Sequence, residues 1–233
     1  MSSHVKLTAM GSEVIKVMLS ETEKKSQQDW VESDKKIIQH TILLLAKGGI
    51  NAVTMQAVGE GAGYSRGIIT RRYGSKEKLL LRVLHHLNDW FRGMLIEATW
   101  RQHGITAIES LIKAMADRCY EYAVEVKAYF TLCCMAETAD RQFNRSLLGM
   151  RKEMTQCYIQ WLKEARVLEE ITRNVDIEMM ADLIMSAVMG LVQSWMINPR
   201  FNLALRLKQL AEIQLRNMFK NSHMYYSTNY WGE

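Results

Sequence analysis

Proline is almost missing from this chain: Pro199 is the single one among 233 residues. A large β-sandwich places more prolines in its turns, so long helices are the better expectation. Cysteine is scarce as well. Cys119, Cys133, Cys134 and Cys157 form no C-x-x-C pair and have no histidine at metal-ligand spacing. Neither a metal site nor a disulfide framework is expected, and the thiols read as reduced and packed in a cytoplasmic core. The opening residues Met1 to Lys6 do not lead into an apolar run with a small-residue cleavage site, so no secretory signal is expected. Catalytic signatures are lacking too. Gly59-Glu-Gly-Ala-Gly63 fails the spacing of a nucleotide loop, and neither a nucleophile elbow nor H-E-x-x-H occurs. An enzyme is therefore not expected, and no cofactor is implied.

Positive charge is present, and it is concentrated. Between Ser33 and Leu84 stand nine Lys/Arg and three acids, a net +6, whereas the rest of the chain holds 21 bases and 22 acids, a net −1. One short segment thus carries all the excess, as a phosphate-binding surface would. Helical punctuation fills the same segment. Ser33 is a candidate N-cap for a helix running to Lys47, with Ile38, Ile42 and Leu45 on one face and Gly48-Gly49 as its stop. Thr54 offers a cap for a short helix to about Ala62. Gly63 makes a turn, Ser65 caps a helix from Arg66 to Tyr73, and Gly74-Ser75 opens the next. Two short helices about a glycine turn form a helix-turn-helix pattern.

On the third helix, Ile69 and Tyr73 face inward by their spacing. Arg66, Gly67, Thr70 and Arg71 share the opposite face. Arginine pairs bidentately with guanine, threonine meets a phosphate or a thymine methyl, and glycine lets a backbone approach closely. Arg66, Thr70 and Arg71 are the base-edge candidates. Thr54, Tyr64, Ser65, Arg72 and Lys76 are the phosphate candidates, two of them beside helix starts that attract anions.

Residues 37–84 resemble the DNA-binding domain of the TetR family of bacterial regulators. The resemblance rests on Thr54, Val58, Glu60, Ala62-Gly63, Ser65-Arg66-Gly67, Ile69, Tyr73, Gly74-Ser75-Lys76-Glu77 and Leu79-Leu80. Departures are Thr70, where the family usually has an aromatic, and Gly59 and Gly61, where Ala and Arg or Lys are common. The resemblance implies a double-stranded DNA operator, a homodimer, repression, and a small effector bound in a variable C-terminal domain.

Beyond Lys76 the pattern predicts helices near 76–101, 105–126, 128–140, 143–167, 177–197 and 203–220. The helix at 177–197 is apolar almost all round. Asp182 and Gln193 argue against a membrane span, which leaves a core or a subunit interface. The resemblance implies the interface, a four-helix pairing of the last two helices with their copies, and assigns Met180, Ile184, Val188, Leu191 and Trp195 to it. Sixteen methionines and several aromatics form either plain core or the wall of an effector cavity. On the second reading Trp90, Met94, Arg118, Tyr122, Phe130, Cys133, Gln160 and Trp161 line it, and the effector is apolar.

The expected organisation is all-α: an N-terminal extension (1–32) that is either a short amphipathic helix or mobile, a helix-turn-helix domain (33–84), a helical effector-binding and dimerisation domain (85–221), and a Tyr-rich tail (222–233). The expected function is a cytoplasmic, sequence-specific transcriptional regulator released from a palindromic operator by a small apolar effector. Two alternatives stand beside it: a ligand-independent architectural DNA-binding protein, and a regulator that senses redox state through Cys133-Cys134.

Overall fold

Three hydroxyl side chains punctuate the basic segment, and in the computed structural model each caps a helix. The structure describes residues 21–136, 139–198 and 200–218, and among the described residues every element is an α-helix. In chain order these are α1 (Glu21–Ala52), α2 (Met55–Ala62), α3 (Arg66–Tyr73), α4 (Lys76–Ala98), α5 (Gly104–Glu121), α6 (Ala123–Cys133), α7 (Arg141–Val167), α8 (Ile177–Ile197) and α9 (Leu203–Met218).

The first helix departs from its expected bounds at its start. Ser33 lies inside α1 rather than capping it, and its hydroxyl donates to the carbonyl of Trp30 at 2.9 Å. At the other end the glycine pair interrupts the helix, as the sequence predicts. Gly49 sits at φ 66°, ψ −164°, and a further turn runs on to Ala52. Most of the 1–32 extension, and all of the 222–233 tail, lie outside the described residues. A second departure falls between α5 and α6. The chain breaks at Tyr122 (φ −110°, ψ 40°) instead of near residue 127. No glycine or proline marks this break, so the sequence carries no local signal for it.

Two apolar cores result. The smaller joins Ile37, Ile38, Ile42 and Leu45 of α1 with Val58, Ile69 and the Leu79–Leu87 stripe of α4. It does not end with the basic segment: α6 contributes Ala128, Tyr129 and Leu132, and α7 contributes Phe143. The larger core gathers Ile108, Leu111 and Ile112 of α5, Tyr158 and Leu162 of α7, Ile184 and Val188 of α8, and Leu203 and Leu207 of α9. Each such Leu or Ile contributes about 1.5–3 kcal/mol when fully buried. The start of α5 is tied to the end of α7 because the Gly104 and Ile105 N–H groups, orphaned at a helix start, donate to Glu164 and Glu170. Helix α8 is long and apolar enough to cross a membrane. One of its faces, however, is packed into this core through Ile184, Val188, Val192 and Trp195.

Candidate nucleic-acid interface and effector cavity

Helices α2 and α3 are held in place by their ends. Thr54 Oγ1 accepts from the N–H of Ala57 at 3.0 Å, Ser65 Oγ from Ile68 at 3.3 Å, and Ser75 Oγ from Lys78 at 3.3 Å. Each bond satisfies one otherwise free N–H of a first turn. Gly63 makes the turn at φ 80°. The glycines that break the resemblance have a packing reason. A Cβ at Gly59 would stand 2.7 Å from the Tyr64 carbonyl, and one at Gly61 would run into the His40 ring. Helix α2 therefore approaches both the turn and α1 more closely than side chains allow.

The two faces of α3 are as the spacing predicts. Ile69 is fully buried and Tyr73 half-buried, while Ser65, Arg66, Gly67, Thr70 and Arg71 are exposed. Among the described residues neither Arg66 nor Arg71 has a hydrogen-bond or ion-pair partner. Three phosphate candidates sit differently. The Arg72 guanidinium donates to Ser33 Oγ at 2.8 Å and lies 4.9 Å over the Trp30 ring. Lys76 Nζ donates to the Ile50 carbonyl at 2.7 Å, closing the bent end of α1. Tyr64 is half-buried against the smaller core. Arg72 and Lys76 thus fasten α3 and α4 to α1. Lys78, which no cap or helix face singles out in the sequence, is the exposed cation at the start of α4.

Beneath α3 lies a polar clamp. Asp34 is buried, and its carboxylate accepts from Tyr73 Oη at 2.5 Å and from Arg82 at 3.0 Å. Burial, then the hydrogen bond to Asp34, pushes the Tyr73 phenol well above its usual range. The clamp joins α1, α3 and α4 across 39 and 48 residues of sequence.

Helices α4 to α8 line a half-open cavity of about 480 Å³. Of the eight expected lining residues it brings together Trp90, Met94, Arg118, Phe130 and Cys133. The other three lie elsewhere. Tyr122 meets Trp90 edge-on at 5.3 Å but stands outside the wall. Gln160 is exposed and donates to Glu164. Trp161 is buried in the larger core, edge-on to Tyr158. Six methionines line the cavity: Met94, Met115, Met150, Met154, Met185 and Met189. The last two come from α8, the helix expected to supply a subunit interface. Asn144 and Arg151 of α7 also line it. Burial, then neighbouring Cys134, pushes the Cys133 thiol up to about 11, and burial pushes Cys119 up to about 12. Neither thiol is poised to ionise at neutral pH.

The five residues assigned to a dimer interface divide in two. Ile184, Val188 and Trp195 are buried within the protomer, so they are core and cannot be the surface a second copy covers. Met180 and Leu191 are half-buried. The outward face of α8 instead shows Met179, Leu183 and Gly190. A helix apolar on all sides does not reveal by pattern which face its own chain takes.

Residues 37–83 match the family model of the bacterial regulatory proteins of the tetR family. A search of the curated proteins finds no match. Among solved structures, a TetR-family transcriptional regulator from Agrobacterium tumefaciens superposes with a TM-score of 0.70 at 12% identity, covering 81% of this chain and 98% of that one. SmeT, the repressor of the Stenotrophomonas maltophilia multidrug efflux pump SmeDEF, gives 0.67 at 16% identity, covering 81% and 91%. A SmeT–triclosan complex gives 0.68 at 17%, covering 82% and 93%. At these identities the likeness establishes the fold: a helix-turn-helix domain followed by a helical domain.

Proposed function

With residues 37–83 matching the tetR family of bacterial regulators, we propose that the protein is a homodimeric transcriptional repressor that reads an inverted-repeat operator and leaves it when a small apolar effector fills the cavity. The observation that carries the DNA-binding part is the exposed face of α3, where Arg66, Thr70 and Arg71 stand free while Ile69 and Tyr73 anchor the helix from behind. Those two guanidiniums read base edges. The capped helix starts at Thr54 and Ser65, with Lys78, hold phosphates. Two copies of α3 then enter successive major grooves about 34–36 Å apart. Cytoplasmic location follows from that role.

The division of labour follows the two cores. The helix-turn-helix segment of 33–84 binds DNA and the helices of 85–221 carry effector and partner, but α6 serves both. Its Tyr129, Phe130 and Cys133 line the cavity, while Ala128 and Leu132 pack in the same core as α1 and α3. Phe91 of α4 meets Tyr129 edge-on at 4.7 Å and also lines the cavity. A ligand that favours one placement of α6 therefore biases α1 and the spacing of the two recognition helices. It shifts that equilibrium only by its differential affinity for the two states. SmeT, solved with triclosan, shares the fold. A cavity of this volume speaks against a filled, ligand-blind architectural protein; of the Cys133-Cys134 pair only Cys134 is exposed, with Cys133 turned to the cavity wall.

The test is a gel shift with the operator and a scrambled duplex. Arg71→Ala is expected to cost about 1–3 kcal/mol on the operator and far less on the scrambled duplex. Lys78→Ala is expected to weaken both alike and to make the salt dependence shallower by about one unit. Equal losses for Arg71→Ala on both duplexes would remove it from base reading.

A further inference from the structure

Charge is unevenly placed around the cavity. Among the described residues that line it, the charged side chains are Arg118 and Arg151, with no carboxylate, lysine or histidine. Arg118 pairs at 2.6 Å with Glu97, whose side chain is two-thirds exposed. Such an ion pair is weak in water and readily exchanged. Arg151 donates to a neutral partner, Ser186 Oγ, at 3.3 Å. One acceptor also stands unused. Asn144 gives its Nδ2 to the Ala139 carbonyl, and its Oδ1 is buried without a hydrogen-bond partner. The remaining wall is apolar, dominated by the six methionines and the rings of Trp90, Phe91 and Phe130.

We infer that the cavity selects apolar acids, molecules with a hydrocarbon or aromatic body and one anionic group, over neutral analogues and lipophilic cations. This deepens the effector reading given above and rests on it. The methionine and aromatic wall takes the body, its thioethers adapting to irregular shapes. The anionic group meets Arg118 or Arg151 at the cavity's edge, where an arginine forms two parallel hydrogen bonds to a carboxylate. A ligand hydroxyl or amide N–H satisfies Asn144 Oδ1. The ring faces of Trp90, Phe91 and Phe130 attract a cation, but it also meets two like charges and leaves its own hydration behind. Discrimination against the wrong charge comes from the unpaired or repelled group as much as from the favoured contact.

The experiment uses three probes with one tail: decanoate, decanol and decylammonium, each titrated calorimetrically into the full-length protein without DNA at neutral pH. Decanoate is expected to bind about ten- to a hundredfold more tightly than decanol, the worth of a charge-assisted hydrogen bond, and decylammonium weakest. Arg151→Gln combined with Arg118→Gln is expected to remove the advantage of decanoate while leaving decanol unchanged. The paired Arg→Lys variants, which keep the charge, are expected to restore most of it. Decanol or decylammonium binding as tightly as decanoate, or an advantage that survives the double Gln variant, would overturn the acid preference and leave an effector cavity standing. Silence of all three compounds would overturn the effector reading with it, while the DNA-binding reading, untouched by this assay, stands or falls on the gel shift.

Discussion

Leu183→Glu is expected to yield a folded monomer that no longer holds its operator. Leu183 is about half-exposed on the protomer, beside Met179, which is more exposed still. Within one copy the substitution is a surface change, worth less than about 0.5 kcal/mol. Across a dimer built on this face of α8, it buries a charge opposite its own copy, which is strongly disfavoured. Losing the second, linked half-site contact lowers operator affinity by about 10²–10⁴-fold. Val188→Glu is the contrast. That residue is 1% exposed inside the protomer, so its charge has no water to reach and the fold itself is expected to fail. Sedimentation of both variants separates the cases. A soluble Leu183→Glu protein that sediments as a dimer would move the interface off this face.

The second large effect is expected at Asp34, which is buried beneath α3. Removing its carboxylate by Asp34→Ala strands the half-buried Tyr73 hydroxyl and frees Arg82, whose side chain is 45% exposed and turns to water. A stranded polar group together with a broken charge-assisted bond costs roughly 2–3 kcal/mol, a fall in Tm of about 4–12 °C in a chain of this length. Tyr73 ends α3, the helix proposed to read the operator, so operator affinity is expected to fall with stability. Asp34→Asn keeps an acceptor for Tyr73 and is expected to lose about half as much. The contribution of Tyr73 has a definite pH window. Its phenol is raised above the ordinary value of 10.0, so the stabilisation is whole below about pH 10 and fades only above it. A melting curve at neutral pH is therefore the right readout. An Asp34→Ala protein that melts with the wild type would show that the clamp does not hold α3.

These cases mark what the sequence makes legible. The caps at Thr54, Ser65 and Ser75 act over three residues, and so does the alternation that points Ile69 inward and Arg71 outward. Short-range chemistry of that kind is written locally. Arg72 and Lys76 were assigned to phosphate by residue type, yet their partners, Ser33 and Ile50, lie 39 and 26 residues away, and no local pattern announces them. The cavity shows the same limit. Trp90 and Met94 of α4 line it as expected, but α7 turns Met150 and Met154 to the cavity and Trp161 into the larger core. Spacing along one helix does not say which neighbour each turn meets. Helix α8 is the clearest instance. With apolar residues all round, its sequence supports core, cavity and interface equally. Only packing assigns Val188 to the first, Met189 to the second and Leu183 to the outward face.

Whether two free α3 faces read an inverted repeat is decided by selecting duplexes from a random pool with the full-length protein and then footprinting the winners. The expected result is enrichment of a near-palindrome whose half-sites lie about 10–10.5 base pairs apart, protected on one face of the helix, with enrichment lost in the Arg66→Ala, Arg71→Ala double variant. A pool that binds without enrichment, or a single asymmetric site protected equally by the double variant, would contradict it.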